Sequence, residues 1–343
     1  PLVFFLSDQR VNFSQKTLCH FSFFHSRNPF KGEVFHDYVH EDIYQGVKID
    51  YRGKDVTRDN FVKVLKGDEK LAANKKKVLK SGPDDNVFIF YSGHGGVSFI
   101  TLLEEEFMLL SLGHRHLTRM FVLLLRQLHA VELNGILAHM HSKKKYNKMV
   151  LYVGACFSGS LFRNILPRNV GIYVTTSAKE NEKSWSIHCD DIDIDACLAS
   201  EYAYAWISDS EYHDLKRRTL DQQYEEVKKR LADSHAMKYG EMAIGNLPVG
   251  KFQGHYNLPM QRNDGTILRN AVHRKPSLQA HLFSKSRRIM EATREQDQEA
   301  AWRKLRRAIQ VREVAHHTPH LMALCKAGYM AQTLIDSVYN VCS

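Results

Sequence analysis

Two unbroken apolar runs, each closed by small residues, constrain this chain more than any other feature. Val87–Tyr91 reads VFIFY and runs into Ser92-Gly93-His94-Gly95-Gly96; Met149–Val153 reads MVLYV and runs into Gly154-Ala155-Cys156-Phe157. Neither run alternates with polar residues, as a strand with one wet face does. Both read as strands buried on two faces, and hence as neighbours in the parallel sheet of an α/β fold. In open α/β sheets, sites lie beyond the carboxyl ends of the strands. One end offers His94 between two glycines, and the other offers Cys156 followed by Phe157 and Ser158-Gly159-Ser160. A loop histidine or a buried cysteine is unremarkable alone. On two adjacent strand ends they make the arrangement for thiolate chemistry, in which the imidazole takes the thiol proton.

The segments around these ends resemble legumain, the asparaginyl endopeptidase family of caspase-like cysteine peptidases. The likeness is carried by DIYQGVKIDYRGKDVT, KVLKSGPDDNVFIFYSGHGG, LHAVELN, YVTTSA, SDSEYHDLKRRTLDQQYEEVK and KFQG, over roughly residues 28–100 and 128–256. It implies a caspase-like, mostly parallel sheet flanked by helices, followed by a helical C-terminal pro-domain that covers the cleft. It also implies a two-step acyl transfer with Cys156 as nucleophile and His94 as the proton carrier. The backbone N–H groups of Gly95 and Cys156 would then form the oxyanion hole.

The same resemblance exposes departures. Gly154 stands two residues before the cysteine, where the family carries an acidic pocket residue. Ser200, in Cys197-Leu198-Ala199-Ser200, stands where a CLGD-type motif brings an Asp. Residues 1–27 show neither the Asn that orients the histidine nor the Arg-His pair of the pocket. A preference for Asn or Asp is therefore not expected to follow from the family's pattern, because a site built to hydrogen-bond a side chain loses discrimination with its polar partners. The implied partners are a peptide or protein substrate, the chain's own pro-domain and cystatin-like inhibitors. No cofactor or metal is implied, and the compartment is lysosomal or vacuolar, or the exterior. A catalytically inactive binding module and a transamidase-like acyl transferase are the alternatives.

Composition narrows the rest. The net charge of +10 over 343 residues leans basic, but Lys and Arg are dispersed rather than clustered with aromatics, so no nucleic-acid partner is expected. No run approaches the ~20 apolar residues of a membrane span. The six cysteines have no metal-type spacing; Cys325 and Cys342 either pair or remain free. Asn12-Phe13-Ser14 is the one glycosylation sequon.

The expected organisation is an unmatched segment 1–27, a peptidase domain 28–254, a linker 255–275 and a helical pro-domain 276–343. The resemblance implies that the N terminus is incomplete and the pro-domain cut short at Ser343. Val3–Leu6 is a strand candidate. Thr57 is expected to cap a helix over Asp55–Val64 with Phe61, Val64 and Leu65 inward. Residues 101–127 are foreign to the family pattern: an inserted helical hairpin, or untranslated sequence read as coding. Val131–Met140 reads as a helix, Val170–Thr175 and Leu198–Ile207 as strands, and Leu215–Leu231 as a long amphipathic helix. The acidic stretch Ser184–Ala199 reads as an exposed loop rather than a cation site, since no Ca-loop spacing is present. Activation cleavage is expected in the linker, at Asn263 or Asp264 with Asn270 in reserve, and the basic residues Arg287–Arg307 are expected to clamp the catalytic domain until acid releases them.

Overall fold

The structure, a computed structural model, describes residues 3–8, 17–20, 30, 33–42, 50–51, 55–102, 127–191, 193–194, 197–254 and 275–276. Its centre is a six-stranded sheet. The two apolar runs form β3 (Val87–Ser92) and β7 (Met149–Gly154), which lie side by side and parallel, Val87 opposite Met149 and Ser92 opposite Gly154. β8 (Ile172–Thr176) continues the parallel set beside β7. The flanks are antiparallel. β11 (Met237–Gly240) closes one side; β1 (Val3–Asp8) and β2 (Thr17–His20) close the other, giving the order β11-β8-β7-β3-β1-β2. Val3 lies opposite Ser92, so β1 takes the place beside β3 with reversed direction.

The lack of alternation in β3 and β7 has its reason in two cores. Val87, Ile89 and Tyr91 face one core with Leu151 and Val153; Phe88 and Phe90 face the other with Val150 and Tyr152. Over the first core lie α1 (Arg58–Lys66), the short α2 (Glu69–Ala73) and α3 (Ala130–Ser142). Thr57 caps α1 through its hydroxyl, accepting from the Asn60 N–H at 3.1 Å, and Phe61, Val64 and Leu65 are the buried face, as the pattern predicts. Arg58 ties α1 to α3 with paired hydrogen bonds to Glu132.

Over the second core lie α4 (Glu201–Tyr212), α5 (Leu220–Arg230) and the short α6 (Gly250–Gln253). The run Leu198–Ile207 is not a strand: after two extended residues, β10 (Ala199–Ser200), the Ser200 hydroxyl accepts from Ala203 N–H and starts α4, with Glu201 in its first turn. A capped N-terminus overrides an apolar run that suits either structure. The helix expected over Leu215–Leu231 begins only at Leu220, because Thr219 and Gln222 form a reciprocal capping box. Leu220, Gln223, Tyr224 and Val227 are its buried residues, with Leu231 buried just past its end.

Two small sheets complete the described structure. β4 (Gly95–Gly96), β5 (Phe99–Thr101) and β6 (Gln127–His129) form one, in that order. Both ends of the segment expected to be foreign, Thr101 and Gln127, therefore pair in a regular antiparallel ladder. β9 (Trp185–Ile187) lies between β10 and β12 (Lys275–Pro276) in the other. The acidic stretch around β9 is not simply an exposed loop: Asp191 is buried, and Cys189 is disulfide-bonded to Cys197. The sequence-based pairing candidates Cys325 and Cys342, the sequon at Asn12, Asn270, the basic stretch Arg287–Arg307 and the rest of the expected pro-domain lie outside the described residues, as does 103–126. Among the described residues no helix is long and apolar enough to cross a membrane.

Candidate active site

The in-register pairing of β3 and β7 decides where the chemistry-bearing residues go. Ser92 and Gly154 are the last paired couple. His94 and Cys156 each follow two residues later, so both lie on the same end of the sheet, on adjoining loops. The loops touch. Gly93 N–H donates to Gly154 O at 3.0 Å, and the Gly95 backbone packs directly on the Cys loop. A Cβ at position 95 would lie 2.7 Å from Cys156 O and 3.0 Å from Ala155 Cβ, so glycine is what permits the approach.

Each loop is braced from below. The buried Tyr91 hydroxyl shares its proton between His94 O and Thr101 O, at 2.7 and 2.9 Å, and Thr101 N–H also donates to His94 O. Ser177 Oγ accepts from Ala155 N–H, and Ser160 Oγ accepts from Ser98 N–H, which joins the Cys loop to the β4–β5 turn. Phe157 takes a left-handed backbone with φ of 58°, a conformation uncommon for a residue with a side chain, and its N–H is held by Glu182 O at 2.8 Å.

The Cys156 thiol is enclosed, with the residue only 1 % exposed. One neighbour is the backbone of Ser184, whose N–H donates to Sγ at 3.4 Å and whose carbonyl lies 3.7 Å away. His94 is partly exposed as a residue, but its Nδ1 atom is fully buried. Burial disfavours the charged ring and pushes its pKa down to about 4.

Gly154 ends β7, and Tyr202 of α4 lies over it: a Cβ there would sit 3.5 Å from the Tyr202 ring. Ser200 precedes Tyr202 by two residues, so α4 brings the two pocket positions to one end of the sheet. Neither supplies a carboxylate, and the Ser200 hydroxyl is engaged as the cap of α4. Asn263 and Asp264 lie outside the described residues. Sequence reasoning missed Ser184 and Tyr202 as neighbours of the site and missed the Cys189–Cys197 bridge. The eight-residue cysteine spacing between two strand-like stretches was the available signal for the bridge; Ser184 acts through its backbone and leaves no residue-type signal. No group of three or more metal-type ligands occurs among the described residues. A cavity of about 280 Å³, lined by His141, Lys148 and Glu241 among others, lies at the opposite, amino ends of β7 and β8.

Residues 22–255 match the Peptidase C13 family. The chain belongs to that family. Among its relatives, the hemoglobinase of Schistosoma mansoni is 44% identical over 237 residues, 69% of this chain and 50% of that protein. Legumain of Homo sapiens is 37% identical over 229 residues, 66% of this chain and 48% of that protein. The vacuolar-processing enzyme delta-isozyme of Arabidopsis thaliana is 36% identical over 229 residues, 63% and 45% respectively. The C13 chain thus spans about half the length of the curated relatives it matches. The mixed α/β architecture, with a parallel centre flanked by helices, agrees with a caspase-like fold.

Proposed function

We propose that this C13 chain is a legumain-like cysteine endopeptidase working through Cys156 and His94. The observation that carries the proposal is the shared register of β3 and β7, which ends both strands together and sets the two loops against each other. In the first step His94 takes the thiol proton, Sγ attacks the scissile carbonyl, and the carbonyl electrons move to oxygen. The N–H groups of Gly95 and Cys156 are assigned to that oxyanion. As the intermediate collapses, the C–N bond breaks and His94 gives its proton to the leaving amine. Water then gives a proton to His94 and attacks the thioester; the C–S bond breaks, the acid leaves, and His94 returns its proton to Sγ. Gly154 and Ser200 replace the carboxylates that the resemblance implies for the pocket, so selectivity for Asn is proposed to be weak.

The enclosure of the Cys156 thiol and of His94 Nδ1 points to a covered site. Burial keeps His94 uncharged, the Cys156 thiol is enclosed, and access requires displacement of what encloses it. β12 runs antiparallel along β9, with Pro276 opposite Trp185, heading toward the Ser184 end. An extended peptide substrate is proposed to add to β9 along this edge, and the chain's own segment after the linker to occupy it in the latent form. Cleavage of the linker at Asn263 or Asp264 in acid, release of the cationic tail, cystatin-like inhibitors and a vacuolar or lysosomal setting belong to the same proposal. The near-complete burial of Cys156 also favours a second reading, a catalytically silent binding module.

An electrophilic peptide probe separates the two. After acid incubation, labelling at Cys156 that is lost in His94→Ala supports the peptidase. Absence of labelling in the processed wild-type chain, with a native fold by circular dichroism, sinks it. Mass spectrometry of the same samples reads the cleavage position. Processing unchanged in Cys156→Ala would show that another protease makes the cut.

A further inference from the structure

The loop 188–198 joins β9 to β10, and both strands lead directly to the proposed site. β9 follows Ser184, whose N–H reaches Cys156 Sγ. β10 ends on Ser200, the cap of the helix whose Tyr202 overlies Gly154. Whatever holds this loop therefore holds two walls of the pocket.

The loop is held by Asp191 and, across 151 positions of sequence, by His40. Asp191 is 4 % exposed. Its Oδ1 accepts from the N–H groups of Asp193 and Ile194 at 3.0 and 2.8 Å, and its Oδ2 meets His40 Nε2 at 2.5 Å. His40 has little freedom to leave: its ring stacks on Phe35 at 4.8 Å, and its backbone is left-handed with φ of 59°. The same segment makes further contacts with the loop and with α4. Tyr38 packs edge-on against His188, and His36 packs edge-on against Tyr204. The Cys189–Cys197 bridge closes the loop on itself. The His40–Asp191 pair, together with Tyr38 on His188, fastens the loop to the 35–40 segment.

We propose that His40 and Asp191 are positioning residues for substrate, setting the pocket walls through the 188–198 loop without touching the reacting atoms. This rests on the peptidase reading above. Loss of the pair is expected in substrate affinity rather than in the chemical step, because His40 and Asp191 reach the Cys loop only indirectly, through β9 and Ser184.

The test uses the acid-processed full chain and a chromogenic peptide. His40→Ala and Asp191→Ala are each expected to raise KM about tenfold while kcat stays within about twofold. His40→Gln, which can still donate to the carboxylate, is expected to recover most of the affinity. Alkylation of Cys156 by iodoacetamide is expected at the wild-type rate in all three. If His40→Ala fails to fold, His40→Phe keeps a ring on Phe35, removes the hydrogen bond and carries the same test. An unchanged KM in the variants, a parallel fall of kcat and alkylation rate, or no recovery in His40→Gln overturns the inference while leaving the peptidase reading intact. A wild-type chain that cleaves no peptide overturns both.

Discussion

Lowering the pH from about 7.5 to about 4.5 is expected to remove roughly 2.5 kcal/mol of stability through His94 alone. In the folded chain, burial holds its pKa near 4, against 6.5 for the ordinary side chain. Because the folded value is the depressed one, the unfolded chain binds the proton more readily. The stabilising difference is complete above the ordinary value and is lost as pH falls from 6.5 toward 4. Each unit of separation is worth about 1.4 kcal/mol, so the gap caps the effect at roughly 3.4 kcal/mol, most of it spent by about pH 4.5. Other groups titrate over the same range, so the measurement is a difference. Urea unfolding of Cys156→Ala, a background that prevents self-cleavage in acid, is compared with Cys156→Ala/His94→Gln at both pH values. The chain with His94 is expected to lose about 2.5 kcal/mol more than the chain with Gln. Parallel losses, within about 0.5 kcal/mol of each other, would mean that the folded imidazole protonates as easily as the unfolded one. They would refute the claim that its burial sets its charge.

Two further outcomes follow from close contacts. Gly95→Ala places a methyl against Cys156 O and Ala155 Cβ, neither of which can swing aside. It is expected to destabilise by roughly 1–3 kcal/mol, and the forced shift of the Cys loop to lower turnover about 100-fold; wild-type melting and turnover would disprove the close approach. Arg218 makes a forked pair with the fully buried Asp209, which also accepts from Gln223. Arg218→Ala leaves that carboxylate in the core without its cation and is expected to cost about 3–5 kcal/mol in urea unfolding; a loss below about 1 kcal/mol would contradict it.

What was legible in the sequence was what neighbouring residues decide. Continuous burial of β3 and β7 needs only the runs VFIFY and MVLYV, and the start of α1 needs only Thr57 ahead of Phe61 and Val64. The run from Leu198 to Ile207 misleads because Tyr202, Ala203, Ala205 and Trp206 suit a buried strand and a buried helix alike. Ser200 decides between them by capping. The acidic stretch was illegible for another reason: whether Asp191 is solvated or buried depends on His40, far away in sequence. The positions of His94 and Cys156 at one end of the sheet were legible from the run-and-glycine pattern. The enclosure of the thiol by Ser184, and the low basicity of His94, were not, because both arise from packing by distant segments.

The pairing of β5 with β6 has an engineering consequence. Thr101 and Gln127 lie directly opposite each other, so the 103–126 segment leaves and returns through a gap of roughly 5 Å. Closure entropy grows only slowly with length, and a sixfold change in that segment alters it by roughly 1.5 kcal/mol. The hairpin is thus a port for exchange of whole modules, open to any insert whose own termini sit about 5 Å apart. The port is wired to the chemistry, because Thr101 N–H and Tyr91 both bond the His94 carbonyl. A ligand-binding module grafted there, tight in one state and splayed in the other, would pull on the imidazole loop directly and make hydrolysis answer to its ligand.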